Sequence, residues 1–409
     1  MTPLSTDKTF HYELLRVLGA SRSYGADIGE VLDVAGKVIP GDFESWYEEF
    51  NRLAEHVDAS VRNTRHPVSV RNALFRAANY YRAADFFLHG NPADPRINEL
   101  WIRQTACFDV AISLMDVPGE RLEINTPDFT IPAILYRAGK TDEPRPTILM
   151  CNGYDGSQEE MLHVFGFGAL ERGFNVITFE GPGQPSVVRN QQLGFINEWE
   201  KVVSPVVDYC ETQGAIDSSQ LILLGYSFGG FLVPRAAAFE NRLAAVVCVD
   251  GVFDIFSTFT KELPPSFMHL LNNGQKKEFD SLTWQATQGN TGLRWGIEQG
   301  CWSFHTDSPY EMLQMTRPMT IQGIAESIQC PVLVCEAGQD HFFIGQPQLL
   351  ATALADKATH RKLTAEDAAQ EHCHVGATDF ATSTVMDWIE DRIFPSTRAP
   401  FRQVAVESI

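Results

Sequence analysis

The stretch Leu221-Ile222-Leu223-Leu224-Gly225-Tyr226-Ser227-Phe228-Gly229-Gly230 constrains the fold of this chain more than any other. An apolar run ends in Gly-x-Ser-x-Gly, and small residues follow. A strand that turns this sharply into a helix projects its serine hydroxyl above the sheet. The flanking glycines are required because side chains there would collide with their neighbours. The pattern predicts Ser227 at the carboxyl end of a buried strand. The bland alternative is a tight turn in a glycine-rich loop.

A serine hydroxyl is a weak nucleophile at neutral pH and needs a histidine base, whose tautomer a carboxylate holds. Both partners follow Ser227 in the order such an elbow uses. Asp340 lies in Cys335-Glu336-Ala337-Gly338-Gln339-Asp340-His341, just beyond the apolar run Pro331–Cys335. Loops at the carboxyl ends of parallel strands are where such sheets place function. Glu336 and Asp254 are the weaker alternatives for the acid. The base comes from Glu371-His372-Cys373-His374, and spacing alone does not choose between His372 and His374. An oxyanion needs two backbone donors. The amide of Phe228 is one. The other is assigned to the loop Asn152-Gly153-Tyr154-Asp155-Gly156-Ser157, at Tyr154, with Asp155 close behind.

The strands come from a change of periodicity. Residues 1–118 read as mostly helical. Trp46, Phe50, Leu53 and Ala54 share a face behind an Asp42 cap. Leu74, Phe75, Ala78 and Tyr81 follow, then Trp101, Phe108 and Ile112. From about residue 119 to 395, apolar strands alternate with helices. This predicts an α/β fold with a mostly parallel sheet and right-handed crossovers. Pro132, inside the strand-like run 129–136, suggests an unpaired side or a bulge. About 256–320 is an insertion between two buried strands. Its Phe259, Phe267, Met268, Trp284, Trp295, Trp302, Phe304, Met312 and Met315 suggest, as a set, a cap over an apolar or aromatic substrate cavity. The apolar faces of the N-terminal helices must also be buried, and the region is expected to close the cavity as a lid.

Charge and composition exclude several classes. Fifty-two acidic residues against 32 basic give a formal net charge of −20, which disfavours nucleic acid and anionic membranes as partners. No basic-then-apolar leader, membrane-length apolar segment or peroxisomal C-terminus (Glu407-Ser408-Ile409) is present, so a soluble cytoplasmic protein is expected. The eight cysteines, none spaced Cys-x-x-Cys, read as buried free thiols. The loop Glu180-Gly181-Pro182-Gly183-Gln184-Pro185 lacks the Gly-Lys-Ser/Thr of a phosphate loop, and His372-x-His374 lacks a third metal ligand at suitable spacing. Neither a cofactor nor a metal is expected.

The 152–160, 180–184, 225–230 and 371–373 motifs together resemble the α/β-hydrolase superfamily. Within it, the chain resembles the group with a helical N-terminal domain that includes 2,6-dihydropseudooxynicotine hydrolase and fungal hydrolases that shorten polyketides in pigment synthesis. The resemblance spans nearly the whole chain. It implies Ser227 as nucleophile, Asp340 as acid and His372 as base. It also implies cleavage of a carbon–carbon or acyl bond next to a carbonyl in a polyketide-like substrate. A thioesterase-like acyltransferase that releases or cyclises a polyketide chain is the alternative, and a binding protein on an inactive hydrolase fold is the non-enzyme one. A homodimer contact, or a docking site for a polyketide synthase carrier domain, is further implied for the N-terminal region. Two positions depart from the group's pattern: Glu180 stands where it often has Asp, and Pro185 where it often has Gly.

Overall fold

The computed structural model describes residues 2–394. The expected domain end at 395 and the C-terminal tripeptide lie outside them. Five helices come first: α1 (Lys8–Gly19), α2 (Ile28–Ala35), α3 (Phe43–Ser60), α4 (Pro67–Asp85) and α5 (Pro95–Ser113). Their starts are local in origin. Asp7, Asp27, Asp42 and Asp94 each accept a hydrogen bond from an amide of the first turn, and proline occupies the first position of α4 and α5. The apolar stripe of α3 (Trp46, Phe50, Leu53, Ala54) is buried. It meets Phe10 of α1 and Phe87, just after α4, in an aromatic cluster.

The eight-stranded sheet has the order β1-β2-β4-β3-β5-β6-β7-β8. The first half holds β1 (Glu120–Asn125), β2 (Thr130–Tyr136), β3 (Arg145–Cys151) and β4 (Asn175–Phe179). Between β3 and β4, α6 (Gln158–Met161) runs through one π-turn into α7 (Phe167–Leu170). Next come α8 (Pro185–Gln191), α9 (Glu200–Glu211), β5 (Ile216–Tyr226), α10 (Gly229–Ala237) and β6 (Ala245–Val249). From β4 across to β8 the pairing is parallel, and β1 and β2 join antiparallel. The central strands are buried along their whole apolar runs, as a sheet covered on both faces requires.

Pro132 marks neither an edge nor a bulge. β2 pairs with β1 on one side and β4 on the other, and Pro132 falls where the β4 ladder ends. Its missing N–H is therefore not needed, while its carbonyl accepts from Glu180 N at 3.0 Å.

Five helices fill the insertion after β6: α11 (Ile255–Thr260), α12 (Pro265–Asn272), α13 (Lys276–Ala286), α14 (Thr291–Ser303) and α15 (Pro309–Thr316). A bridge between Asp254 and Thr320 closes its neck. β7 (Val332–Ala337), α16 (Gln346–Leu354), β8 (Ala358–Leu363) and α17 (Thr378–Ile393) complete the core. All eight cysteines are free thiols, seven of them buried. Among the described residues, no helix is long and apolar enough to cross a membrane.

Candidate active site

Ser227 follows β5 with φ +59°, in the left-handed region that a non-glycine residue rarely enters. Its amide donates to the Val249 carbonyl. The turn is tight enough that a Cβ on Gly225 would lie 2.1 Å from the Gly229 carbonyl oxygen, and one on Gly229 would lie 2.9 Å from that of Cys151. Glycine at both positions lets strand and helix pass this closely.

The hydroxyl of Ser227 lies 2.8 Å from Nε2 of His372, and Nδ1 of His372 lies 2.9 Å from Oδ2 of Asp340. Asp340 Oδ1 accepts the amides of Phe342 and Phe343 at 2.7 and 3.1 Å. Burial disfavours the Asp340 carboxylate, but the charge and hydrogen bond of His372 and these two amides outweigh it. The carboxyl is held well below the usual range. At His372 burial works against the cation, and Asp340, by charge and hydrogen bond, more than offsets it. The imidazole is raised above its ordinary 6.5.

The alternatives are engaged elsewhere. Glu336 binds His360 at 2.8 Å and Lys362 at 2.6 Å on β8. Asp254 caps α11 through the Ser257 amide. His374 points Nδ1 to the Ala369 carbonyl, 2.9 Å away. Cys373 and His374 have φ of +53° and +58°, so two successive left-handed residues part the two rings.

A residue that the sequence reading passed over also faces His372. Asp250, directly after β6, is fully buried, and its Oδ2 lies 3.6 Å from Nδ1 of His372. Asp250, His372 and Cys373 are close enough to share a cation. Both ring nitrogens of His372 are already engaged, however, and burial pushes the Cys373 thiol well up, so the donor set suits hydrogen bonding better than metal ligation.

The loop after β3 runs beside the elbow. An added Cβ at Gly153 would lie 2.6 Å from the Phe228 nitrogen. Asn152 braces this loop: its Oδ1 accepts the Gly153 amide at 2.7 Å, and its Nδ2 donates to Glu160 at 2.9 Å. The carbonyl of Tyr154 accepts from Gln299 and Ser303 of α14, both at 3.0 Å. Glu180 takes the amides of Gln158 and Ser186, and Gln184 donates to the Asn152 carbonyl at 2.7 Å. The 180–185 loop is thus a brace beneath the site.

A family model for FrsA-like esterases matches residues 32–282, more than half of the chain. The chain belongs to the FrsA-like esterase family. Its curated relatives include the 20-hydroxy-prefusarin hydrolase FUS2 of Gibberella moniliformis, 31 % identical over 382 residues, covering 90 % of this chain and 89 % of the relative. Hydrolase acrC of Aspergillus aculeatus is 31 % identical over 359 residues, covering 82 % and 83 %. Among solved structures, a 2,6-dihydroxy-pseudo-oxynicotine hydrolase superposes with a TM-score of 0.73 at 19 % identity, covering 93 % of this chain and 97 % of that one. AbyA5 superposes with a TM-score of 0.67 at 21 % identity, covering 94 % and 93 %. These likenesses make the chain a hydrolase with the α/β-hydrolase fold. The matched segment contains Ser227 but ends before Asp340 and His372, so their place rests on the geometry above.

In this FrsA-like hydrolase a cavity of about 670 Å³ opens on Ser227 and His372. Phe259, Phe267, Phe279, Trp295, Met312 and Leu313 of the cap line it. Not all the expected cap side chains do. Trp302, two turns beyond Trp295 on α14, stacks on His89, Phe304 packs on Phe195, and Met315 is exposed.

Helix α1 reaches the cavity too, which no sequence motif announced. The Tyr12 hydroxyl donates to the His372 carbonyl at 3.2 Å. The Arg16 guanidinium clamps Glu160 at 2.6 and 2.7 Å and Asp155 at 3.0 Å. Burial alone would raise the Glu160 carboxyl, but Arg16 and Arg82 bring it down to about 2. Glu13, in the same cluster, is pushed up to about 7, chiefly by burial. A chain of contacts therefore runs from α1 through Arg16, Glu160 and Asn152 to Gly153.

Proposed function

We propose that this chain is a serine hydrolase cleaving a carbon–carbon or acyl bond next to a carbonyl in a polyketide-like substrate of fungal secondary metabolism. The observation that carries this reading is the continuous Ser227–His372–Asp340 hydrogen-bond chain, whose Ser227 and His372 line an apolar cavity. Fungal relatives, one a 20-hydroxy-prefusarin hydrolase, support the substrate class.

Ser227 attacks the substrate carbonyl while its proton passes to Nε2 of His372. Asp340 holds the His372 tautomer and stabilises the imidazolium. The amides of Phe228 and Tyr154 receive the oxyanion. Neither amide has a hydrogen-bond partner among the described residues, and Gly153 brings the two strands of backbone together. The tetrahedral intermediate collapses, and His372 returns the proton to the departing carbanion, oxygen or sulfur. Water, deprotonated by His372, then releases the acid from Ser227. Residues 1–118 act as the lid, with Tyr12 and Arg16 forming one wall.

Incubation with a β-diketone and with a matched thioester separates the bond types. Carbon–carbon cleavage by wild type and not by Ser227→Ala supports the first. Turnover of the thioester alone overturns it and leaves acyl hydrolysis. A product carrying only added water, with no ester or lactone, rules against the acyltransferase alternative.

A further inference from the structure

Two carboxyl groups converge on His372, from the ends of adjacent strands, and they are not equivalent. Asp340 takes the Nδ1 hydrogen at 2.9 Å. Asp250 is fully buried, and among the described residues neither lysine nor arginine pairs with it. The titratable groups around it are Asp340, His372, Cys373, His374, Cys335 and Tyr226. Its Oδ2 accepts the Cys373 amide at 2.9 Å, and its Oδ1 faces Nε2 of His374 at 3.3 Å. Neither Oδ1 nor that Nε2 has a hydrogen-bond partner elsewhere, and the ionised Asp340 carboxyl, the other side chain within hydrogen-bond reach of Asp250, has no proton to offer it.

Nδ1 of His374 lies 2.9 Å from the Ala369 carbonyl oxygen, which can only accept. Nδ1 therefore carries the hydrogen, and in a neutral imidazole Nε2 then presents a lone pair. A carboxylate Oδ1 opposite it would leave two buried acceptors facing each other, each at the full cost of an unmade hydrogen bond. One proton satisfies both. On His374 it would create a buried imidazolium. On Asp250 it leaves both groups neutral, the cheaper state away from water. Burial acts in the same sense on each, lowering His374 to about 4 and pushing Asp250 well up, with the Asp340 charge adding to the latter.

We propose that Asp250 is a neutral carboxylic acid whose O–H donates to Nε2 of His374, leaving Asp340 the sole anion at His372. Asp250 is then a positioning residue. Its Oδ2 holds the Cys373 amide and its O–H holds His374, so one side chain pins both left-handed residues of the turn that aims His372 at Ser227. The proton stays on Asp250 throughout turnover.

The kinetic part of the test rests on His372 being the base; the spectroscopic part does not. Asparagine reproduces both hydrogen bonds of a neutral acid, accepting from Cys373 and donating to His374, whereas alanine reproduces neither. Asp250→Asn is expected to keep kcat/KM within about fivefold of wild type with its acid limb unmoved, and Asp250→Ala to lose kcat by roughly a hundredfold or more. Were Asp250 a second anion, Asp250→Asn would remove a charge beside His372 and shift the acid limb to lower pH. Such a shift, or a loss greater than about fivefold in folded Asp250→Asn, overturns the proposal. Independently of activity, infrared difference spectra of wild type minus Asp250→Asn should show a protonated-carboxyl C=O band at neutral pH. Absence of that band overturns the proposal even if turnover is unchanged. If Asp250→Asn does not fold, the spectrum of wild type minus Asp250→Ala decides: a band lost with Asp250 that persists from about pH 6 to 8 supports a neutral acid, and its loss within that range refutes it. Should Ser227→Ala stay active, the triad reading fails while the infrared band still reports on Asp250.

Discussion

Gly153→Ala places a methyl group where the elbow and the neighbouring loop meet. The added Cβ would lie 2.6 Å from the Phe228 nitrogen, 2.7 Å from the Tyr226 carbonyl oxygen and 3.1 Å from the Phe228 Cβ. Two of these three neighbours are backbone, so no side-chain rotation relieves the clash. Ordinary contact begins at 3.4 Å, so the loop must retreat by about 0.8 Å, carrying the Tyr154 amide with it. A displacement of that size near reacting atoms costs on the order of a hundredfold, and outright loss of one oxyanion donor costs ~10²–10³ in kcat, or ~3–4 kcal/mol. The substitution should therefore lower kcat for an activated ester by about a hundredfold with little change in KM. Melting temperature, measured alongside, separates this from unfolding. A folded Gly153→Ala protein with wild-type kcat would refute the placement of the oxyanion donors.

Other consequences can be measured directly. In the proposed mechanism catalysis needs neutral His372, whose raised value puts the acid limb of kcat/KM above pH 6.5; Asp340→Asn should move it down and cut kcat by ~10⁴. A limb at or below 6.5 in wild type would contradict this. Glu13, raised to about 7 in the fold, favours folding while protonated, and that contribution is lost as pH rises from its ordinary 4.5 through 7. Glu13→Gln should thus be more stable than wild type at pH 8 by on the order of 1 kcal/mol in urea titrations, and a less stable variant would count against it. Arg16→Met leaves Glu160 and Asp155 buried without their closest cation and should cost ~3–5 kcal/mol, with a drop in kcat through Asn152 and Gly153. Unaltered stability and turnover would sever α1 from the site.

What the sequence discloses here depends on how local the determinant is. The elbow is legible because its geometry is written in five consecutive residues around Ser227. Asp340 could be proposed because it follows a strand whose apolar run is unmistakable. The choice of His372 over His374 was out of reach of spacing, because two left-handed residues rotate the rings apart and such a turn has no clear signature without glycine. Asp250 went unnoticed while Asp254, four residues on, drew attention as a loop acid. Nothing in its neighbourhood signals that it meets a turn 123 positions away. β8 escaped because Ala358–Leu363 is mostly polar and charged, as suits an edge strand. Tyr12 and Arg16 sit on an ordinary amphipathic helix, and only tertiary packing makes them part of the cavity wall.

Covalent labelling of the nucleophile is the most direct test of the central claim. Folded wild-type protein treated with a fluorophosphonate should gain one adduct by intact mass, mapping to Ser227, with turnover lost in step. Ser227→Ala should acquire no adduct and no activity. An adduct on another residue, or persistent turnover in Ser227→Ala, would contradict the account.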